Sequence, residues 1–245
     1  MNTSAPDPDG RILMVPDYAG RMTNHASADP AAVLWDMDGT LVDTEPYWIR
    51  AETELMNAHG LPWSEEQGLE FVGNELIVSA RMMREAGLDL PAEEIVETLI
   101  GNVIAQIRES VPFRPGALEL LAELKAEGIP SVMVTMSYRP LAEAVIASCP
   151  TDSFAGLVSG DEVSAGKPDP EPYLRGAALL DLDPAECVAL EDSKPGLASA
   201  EAAGTIAIGI PHFVDLEPRP GRILWDTLDG RGVADLRHLR AQQSA

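Results

Sequence analysis

From residue 117 onward the chain alternates between helical stretches and short apolar runs, and this alternation constrains the fold more than any other feature. A helical pattern over 117–127 ends at Gly128 and gives way to an apolar run over 129–135. Helical patterns over 140–147, 170–180 and 195–203 then alternate with apolar runs near Leu157, over 187–190 and over 205–208. Short apolar runs between helices predict strands buried on both faces, and so a parallel sheet covered by helices on each side. An earlier run, 31–35, predicts the first strand of the same sheet.

Between that strand and residue 112 the texture is different. Residues 44–59 read as a helix stopped by Gly60, and Ser64-Glu65-Glu66-Gln67 reads as a capping box that opens another. Helices over 74–86 and 91–109 follow, with no strand candidate among them. The expected organisation is therefore an α/β core, residues 31–44 and 112–245, carrying an inserted all-helical cap, residues 45–111. Residues 1–30 are rich in Pro, Asp, Ser, Asn and Gly and read as a disordered leader. Met22 offers an alternative start, which the mass of the native protein would decide. The tail beyond Pro211 reads as weakly helical, with no role legible in it.

Charge narrows the partners. Forty acidic residues against 17 basic give a net charge of −23, which repels phosphate backbones and anionic lipid alike. Nucleic acid and membrane are excluded as expected partners, and a small anionic substrate would need local positive charge from a metal ion or a few basic residues. No apolar run approaches the length of a membrane span, and the segment 11–15 is too short for a signal peptide. A cytoplasmic protein, monomeric or a small homo-oligomer, is expected. Cys149 and Cys187 form neither a metal-ligand spacing nor a disulfide framework and read as buried structural thiols.

Ligands of open parallel sheets gather at the carboxyl ends of the strands. Four clusters stand there. Asp36-Met37-Asp38-Gly39-Thr40 puts two carboxylates two residues apart beside a glycine turn, so that one can attack phosphorus and the other can protonate a leaving oxygen. Thr135-Met136-Ser137 offers hydroxyls and backbone N–H groups at a strand-to-helix junction, a cradle for an anion. Gly166-Lys167-Pro168 presents a lysine, scarce in this chain, from a stiff loop. Glu191-Asp192 pairs carboxylates that repel one another unless a cation joins them, and such hard oxygen ligands suit Mg²⁺. Taken singly, these could be a turn, a helix cap, a solvated lysine and a helix N-terminus. Their order along one sheet makes a site.

These residues resemble the four motifs of the haloacid dehalogenase superfamily, over about residues 31–211. Residues 36–46, from Asp36 to Pro46, are similar to its first motif almost letter for letter; Thr135, Lys167 and Glu191-Asp192 fall where the other three belong. The inserted helices resemble the cap of its β-phosphoglucomutase and phosphoglycolate phosphatase branch. The resemblance implies a Rossmann-like three-layer parallel-sheet core with a helical cap. It also implies that Asp36 forms an aspartyl-phosphate and ligates Mg²⁺, and that Asp38 is general acid and then base, its carbonyl touching the metal. Thr135 and the Met136 N–H would hold the phosphoryl group, Lys167 would neutralise it, and Asp192 with Glu191 would complete the metal site.

Asp38 argues for phosphate chemistry, because dehalogenases of this superfamily lack the second aspartate. Met136 stands where relatives more often carry a small polar residue. Trp48 occupies the place of a catalytic histidine in the mutases; it reads as packing between cap and core, with substrate stacking as the alternative. Ser137 and Arg139 are further candidates for substrate contact. The expected function is a Mg²⁺-dependent phosphatase acting on a small phosphorylated metabolite such as a sugar phosphate. A phosphosugar mutase and a non-catalytic phosphate-ligand-binding protein are the alternatives.

Overall fold

The computed structural model describes residues 29–69, 71 and 76–243. The expected leader and Met22 lie outside these residues, apart from Asp29 and Pro30. Among the described residues six strands form one parallel sheet: β1 (Ala32–Trp35), β2 (Ser131–Val134), β3 (Gly156–Val158), β4 (Cys187–Glu191), β5 (Ile206–Gly209) and β6 (Ile223–Leu224). Their order across the sheet is β3-β2-β1-β4-β5-β6. The chain therefore leaves β1 on one side to build β2 and β3, then returns to its other side for β4 to β6. The strand order reverses at β1, and the crevice beyond its carboxyl end is where such a sheet receives a ligand.

Alternate strand residues enter two hydrophobic clusters. Val33, Trp35, Met133, Val188, Leu190 and Ile208 belong to one. Ala32, Leu34, Val132, Val134, Ala189 and Ala207 belong to the other. The first cluster takes in residues of α5 (Ala117–Ala126) and α6 (Arg139–Ser148), the second those of α7 (Glu171–Ala178) and α8 (Lys194–Ala202). Helices therefore cover both faces, which is why the strands read as continuous apolar runs rather than alternating ones. This is the expected three-layer α/β architecture.

The block between β1 and α5 is helical, as expected: α1 (Glu45–Ala58), α2 (Glu65–Leu69), α3 (Leu76–Glu85) and α4 (Ala92–Glu109). At α2 the capping box forms in both directions, Ser64 N–H donating to Gln67 Oε1 and Gln67 N–H to Ser64 Oγ. The start expected for the third helix, near Asn74, lies outside the described residues. The chain crosses between block and core at two points that are hydrogen-bonded together, Asp43 N–H to the Pro112 carbonyl and Arg114 N–H to that of Leu41.

The tail is helical at its end, as expected, and adds a strand that was not. Ile223 and Leu224 extend the sheet beyond β5, and α9 (Val233–Gln243) buries Val233 and Leu236 in the main core beside Trp225 and Leu228. The strand is only two residues long and half-buried, too short to register as an apolar period. The low amphipathic contrast of α9 hides its packing face in the same way.

Candidate active site

The carboxyl ends of β1, β2 and β4 meet where the strand order reverses. Asp36 follows β1 directly, and its N–H donates to the Leu190 carbonyl of β4, so the sheet ladder itself fixes where its side chain begins. The chain then turns at Gly39, whose φ of +88° belongs to the left-handed region that favours glycine. The turn folds so closely on β4 that a Cβ at Gly39 would lie 2.0 Å from Asp192 Oδ2. A residue with a side chain could not bring the first and fourth clusters together.

Lys167 arrives from the loop before α7 and is buried among them. Its three N–H donors are all used: on Asp36 Oδ1 at 2.7 Å, Glu191 Oε1 at 2.7 Å and the Val134 carbonyl at 2.9 Å. Tyr173, fully buried on α7, places its ring 5.1 Å from Lys167 Nζ and donates its hydroxyl to Glu191 Oε1 at 2.9 Å. Glu191 is the last residue of β4, rather than the first beyond the strand. Its Oε2 accepts from Ser193 N and Ser193 Oγ, at 3.2 and 3.0 Å.

Asp38 is held from two sides. Its Oδ1 accepts from Thr44 Oγ1, and its Oδ2 from Ser137 Oγ at 2.8 Å and Thr135 Oγ1 at 3.2 Å. Thr135 Oγ1 also accepts the Ser137 N–H at 2.9 Å. Two residues apart at a strand end, Thr135 and Ser137 share one side. The Met136 side chain takes the other, its sulfur accepting the Lys167 N–H at 3.5 Å and its methyl lying against Gly166. The hydroxyl missing at position 136 is thus present at 137.

The electrostatics follow from burial. Asp36, Glu191 and Asp192 each bring a ligand atom within 4.8 Å of the others'. One ammonium, ion-paired with Asp36 and Glu191, serves three carboxylates. Burial, with Glu191 and Asp38 adding repulsion, pushes Asp36 up to about 7 even though Lys167 opposes the shift. Burial and the charges of Asp36 and Glu191 push Asp192 up to about 9. Burial works against the charge of Lys167, but Asp36 and Glu191 more than offset it, so the lysine stays charged. Asp36 Oδ2 is buried with no hydrogen-bond partner, and Asp192 accepts only a long bond, 3.4 Å, from Thr40 Oγ1. A cluster with surplus negative charge and unused oxygen lone pairs fits a divalent cation.

Trp48 and Arg139, the other candidates for substrate contact, have neighbours of their own. Trp48 packs into the main core through the buried stripe of α1. Arg139 pairs with Glu162 and Glu143 at the start of α6, so its guanidinium is already engaged. Both cysteines are buried, and burial pushes Cys149 up to about 11 and Cys187 up to about 12, as suits inert thiols. Sequence reasoning did not find Tyr173, Thr44 or His212. His212 Nδ1 lies 2.6 Å from Arg114 Nη1, and its Nε2 is 3.1 Å from Asp43 Oδ1, which ties the loop after β5 to both crossings. Tyr173 carried a usable signal, since it stands two residues into a helix that opens directly after the lysine loop. Among the described residues no helix is long and apolar enough to cross a membrane.

A family model for haloacid dehalogenase-like hydrolases matches residues 30–204. Hexitol phosphatase A of Escherichia coli (strain K12) is 39% identical over 185 residues, covering 73% of this chain and 82% of the relative. Hexitol phosphatase B of the same organism is 34% identical over 184 residues, with 74% and 83% covered. The crystal structure of CbbY from Rhodobacter sphaeroides in complex with phosphate superposes with a TM-score of 0.75 at 33% identity, over 84% of this chain and 98% of that one. CbbY has also been solved with xylulose-(1,5)bisphosphate. With the motifs gathered at one switch point and the family model spanning most of the chain, this protein belongs to the haloacid dehalogenase-like hydrolases.

Proposed function

We propose that the protein is a Mg²⁺-dependent phosphatase that hydrolyses a small sugar or sugar-alcohol phosphate through an aspartyl-phosphate at Asp36. The observation that carries this reading is the state of Asp36. One of its oxygens is bound to Lys167, while the other is buried, unpaired and free to attack. Lys167 neutralises the nucleophile and the incoming phosphoryl group together, so an anion can enter a chain of charge −23. Asp38, turned by Gly39 and held by Thr44, Thr135 and Ser137, is the general acid for the leaving oxygen and then the base for water. Thr135 and the Met136 N–H stand at the junction of β2 and α6 as the phosphate cradle. Asp36 and Asp192 would hold the metal, with the Asp38 carbonyl. When bound, the metal supplies charge neutralisation on the transferring group. Residues 45–111 act as the cap that excludes bulk water, residues 31–44 and 112–245 as the core.

The substrate class rests on the relatives, whose names are those of hexitol phosphatases, and on the sugar bisphosphate bound to CbbY. Phosphate release is the test, measured on hexitol phosphates, hexose phosphates and an aryl phosphate, with and without Mg²⁺. Metal-dependent release that Asp36→Asn abolishes is expected. Equal turnover by the variant would sink the mechanism.

A further inference from the structure

A carboxylate has about four lone-pair positions, and an ammonium has three donors. Counted this way, the carboxylates of the site are not equivalent. Glu191 Oε1 accepts from Lys167 Nζ and Tyr173 Oη; Oε2 accepts from Ser193 N and Ser193 Oγ. All four positions are taken by protein donors. The carboxylate is also walled in: Glu191 has no exposed surface, and a Cβ at Gly196 would lie 1.8 Å from its Oε1. Asp36 has one bond on Oδ1 and none on Oδ2, and Asp192 has only the long bond from Thr40. The open lone pairs belong to Asp36 and Asp192.

We infer that Glu191 is not a metal ligand but a positioning residue. Clamped by Tyr173 and Ser193, it holds the Lys167 ammonium on Asp36 Oδ1 and leaves Asp36 and Asp192 as the two carboxylates that bind the metal directly. Lys167 has no spare donor, because its third N–H is on the Val134 carbonyl, so its tip is fixed at three points. The Tyr173 ring closes the remaining side at 5.1 Å, in the range of a cation–π contact. The division matches the needs of the chemistry. The lysine must stay fixed while phosphate comes and goes, and a ligand shared with the metal would shift with metal binding. A partner fully occupied by rigid protein donors does not.

The inference rests on the metal-dependent phosphatase reading, and one experiment separates the two. Mn²⁺ replaces Mg²⁺ as a paramagnetic probe, and water proton relaxation counts the waters bound to it in the wild type, Glu191→Gln, Asp192→Asn and Tyr173→Phe. Aryl phosphate turnover and thermal melting are followed beside it. Glu191→Gln is expected to leave the water count unchanged while turnover falls about 10–100-fold, as for loss of an outer-shell partner. Asp192→Asn should gain a bound water or lose the ion. A water gained by Glu191→Gln, as a lost ligand would give, overturns the inference; so does unchanged turnover. If Glu191→Gln does not fold, Tyr173→Phe decides. An unaltered water count with turnover down about tenfold supports the clamp, and wild-type turnover overturns it. Failure of the wild type to bind Mn²⁺, or turnover by Asp36→Asn, would instead refute the phosphatase reading itself.

Discussion

Lys167 donates from Nζ to Asp36 Oδ1 across 2.7 Å, and neither side chain is more than a tenth exposed. A buried ion pair of this kind is costly to break, because removing one partner leaves the other charge without compensation. Here the survivors would be three carboxylates. Lys167→Met is expected to lower kcat about 10²–10³-fold, the usual cost of removing one preorganised charge from a transition state. Phosphate release at saturating substrate checks it. A loss below tenfold would show that the lysine is structural only.

Asp38 should matter in proportion to how much its proton is needed. An aryl oxide leaves readily without protonation, whereas the alkoxide of a sugar alcohol does not. Asp38→Asn is therefore expected to depress hexitol phosphate hydrolysis about 10²–10⁴-fold and aryl phosphate hydrolysis much less. Equal losses on both substrates would remove Asp38 from the proton transfer.

Gly39 is required twice, by its φ of +88° and by the closeness of Asp192. Gly39→Ala should lower Tm and weaken Mg²⁺ binding together, since the added carbon must displace either the turn or the ligand. Titration calorimetry and a thermal melt check the two effects. Wild-type metal affinity in this variant would mean that the turn and Asp192 move independently.

Glu52, on the buried stripe of α1, is 5% exposed, and its Oε2 has no partner. Burial, with Glu45 adding repulsion, pushes it from 4.5 up to about 8. The folded state then keeps a proton that the unfolded chain has already released, so its contribution to stability is full below about 4.5 and is lost as pH rises through 8. The wild type should lose stability between these values, and Glu52→Gln should lose less, by on the order of a few kcal/mol at the upper end. Parallel denaturation profiles of the two proteins across that window would contradict the shift.

The tail is part of the fold. Leu236 of α9 is fully buried in the main cluster, so Leu236→Ala should cost about 2–5 kcal/mol in urea denaturation, as for other large-to-small changes in a packed core. A cost under 0.5 kcal/mol, the range of surface changes, would show that α9 is dispensable.

The sheet, its parallel sense, the helical insertion and the residue types at three strand ends are all legible in the amino-acid order. These are local properties: strands buried on both faces read as unbroken apolar runs, helices show their period, and Asp36, Asp38, Lys167 and Asp192 stand beside turns that punctuate the pattern. Which partners those residues keep is settled in three dimensions. That Ser137 rather than Met136 offers its side-chain hydroxyl to Asp38, that Tyr173 reaches Glu191, and that a two-residue strand and α9 complete the core all depend on groups brought together by the sheet order. Position along the chain carries no trace of such distances: Lys167 and Asp36 are 131 residues apart and meet because β1 lies where the strand order reverses. Lone pairs, too, are spent in three dimensions, so two adjacent acids that look alike in sequence, Glu191 and Asp192, end with different bonds.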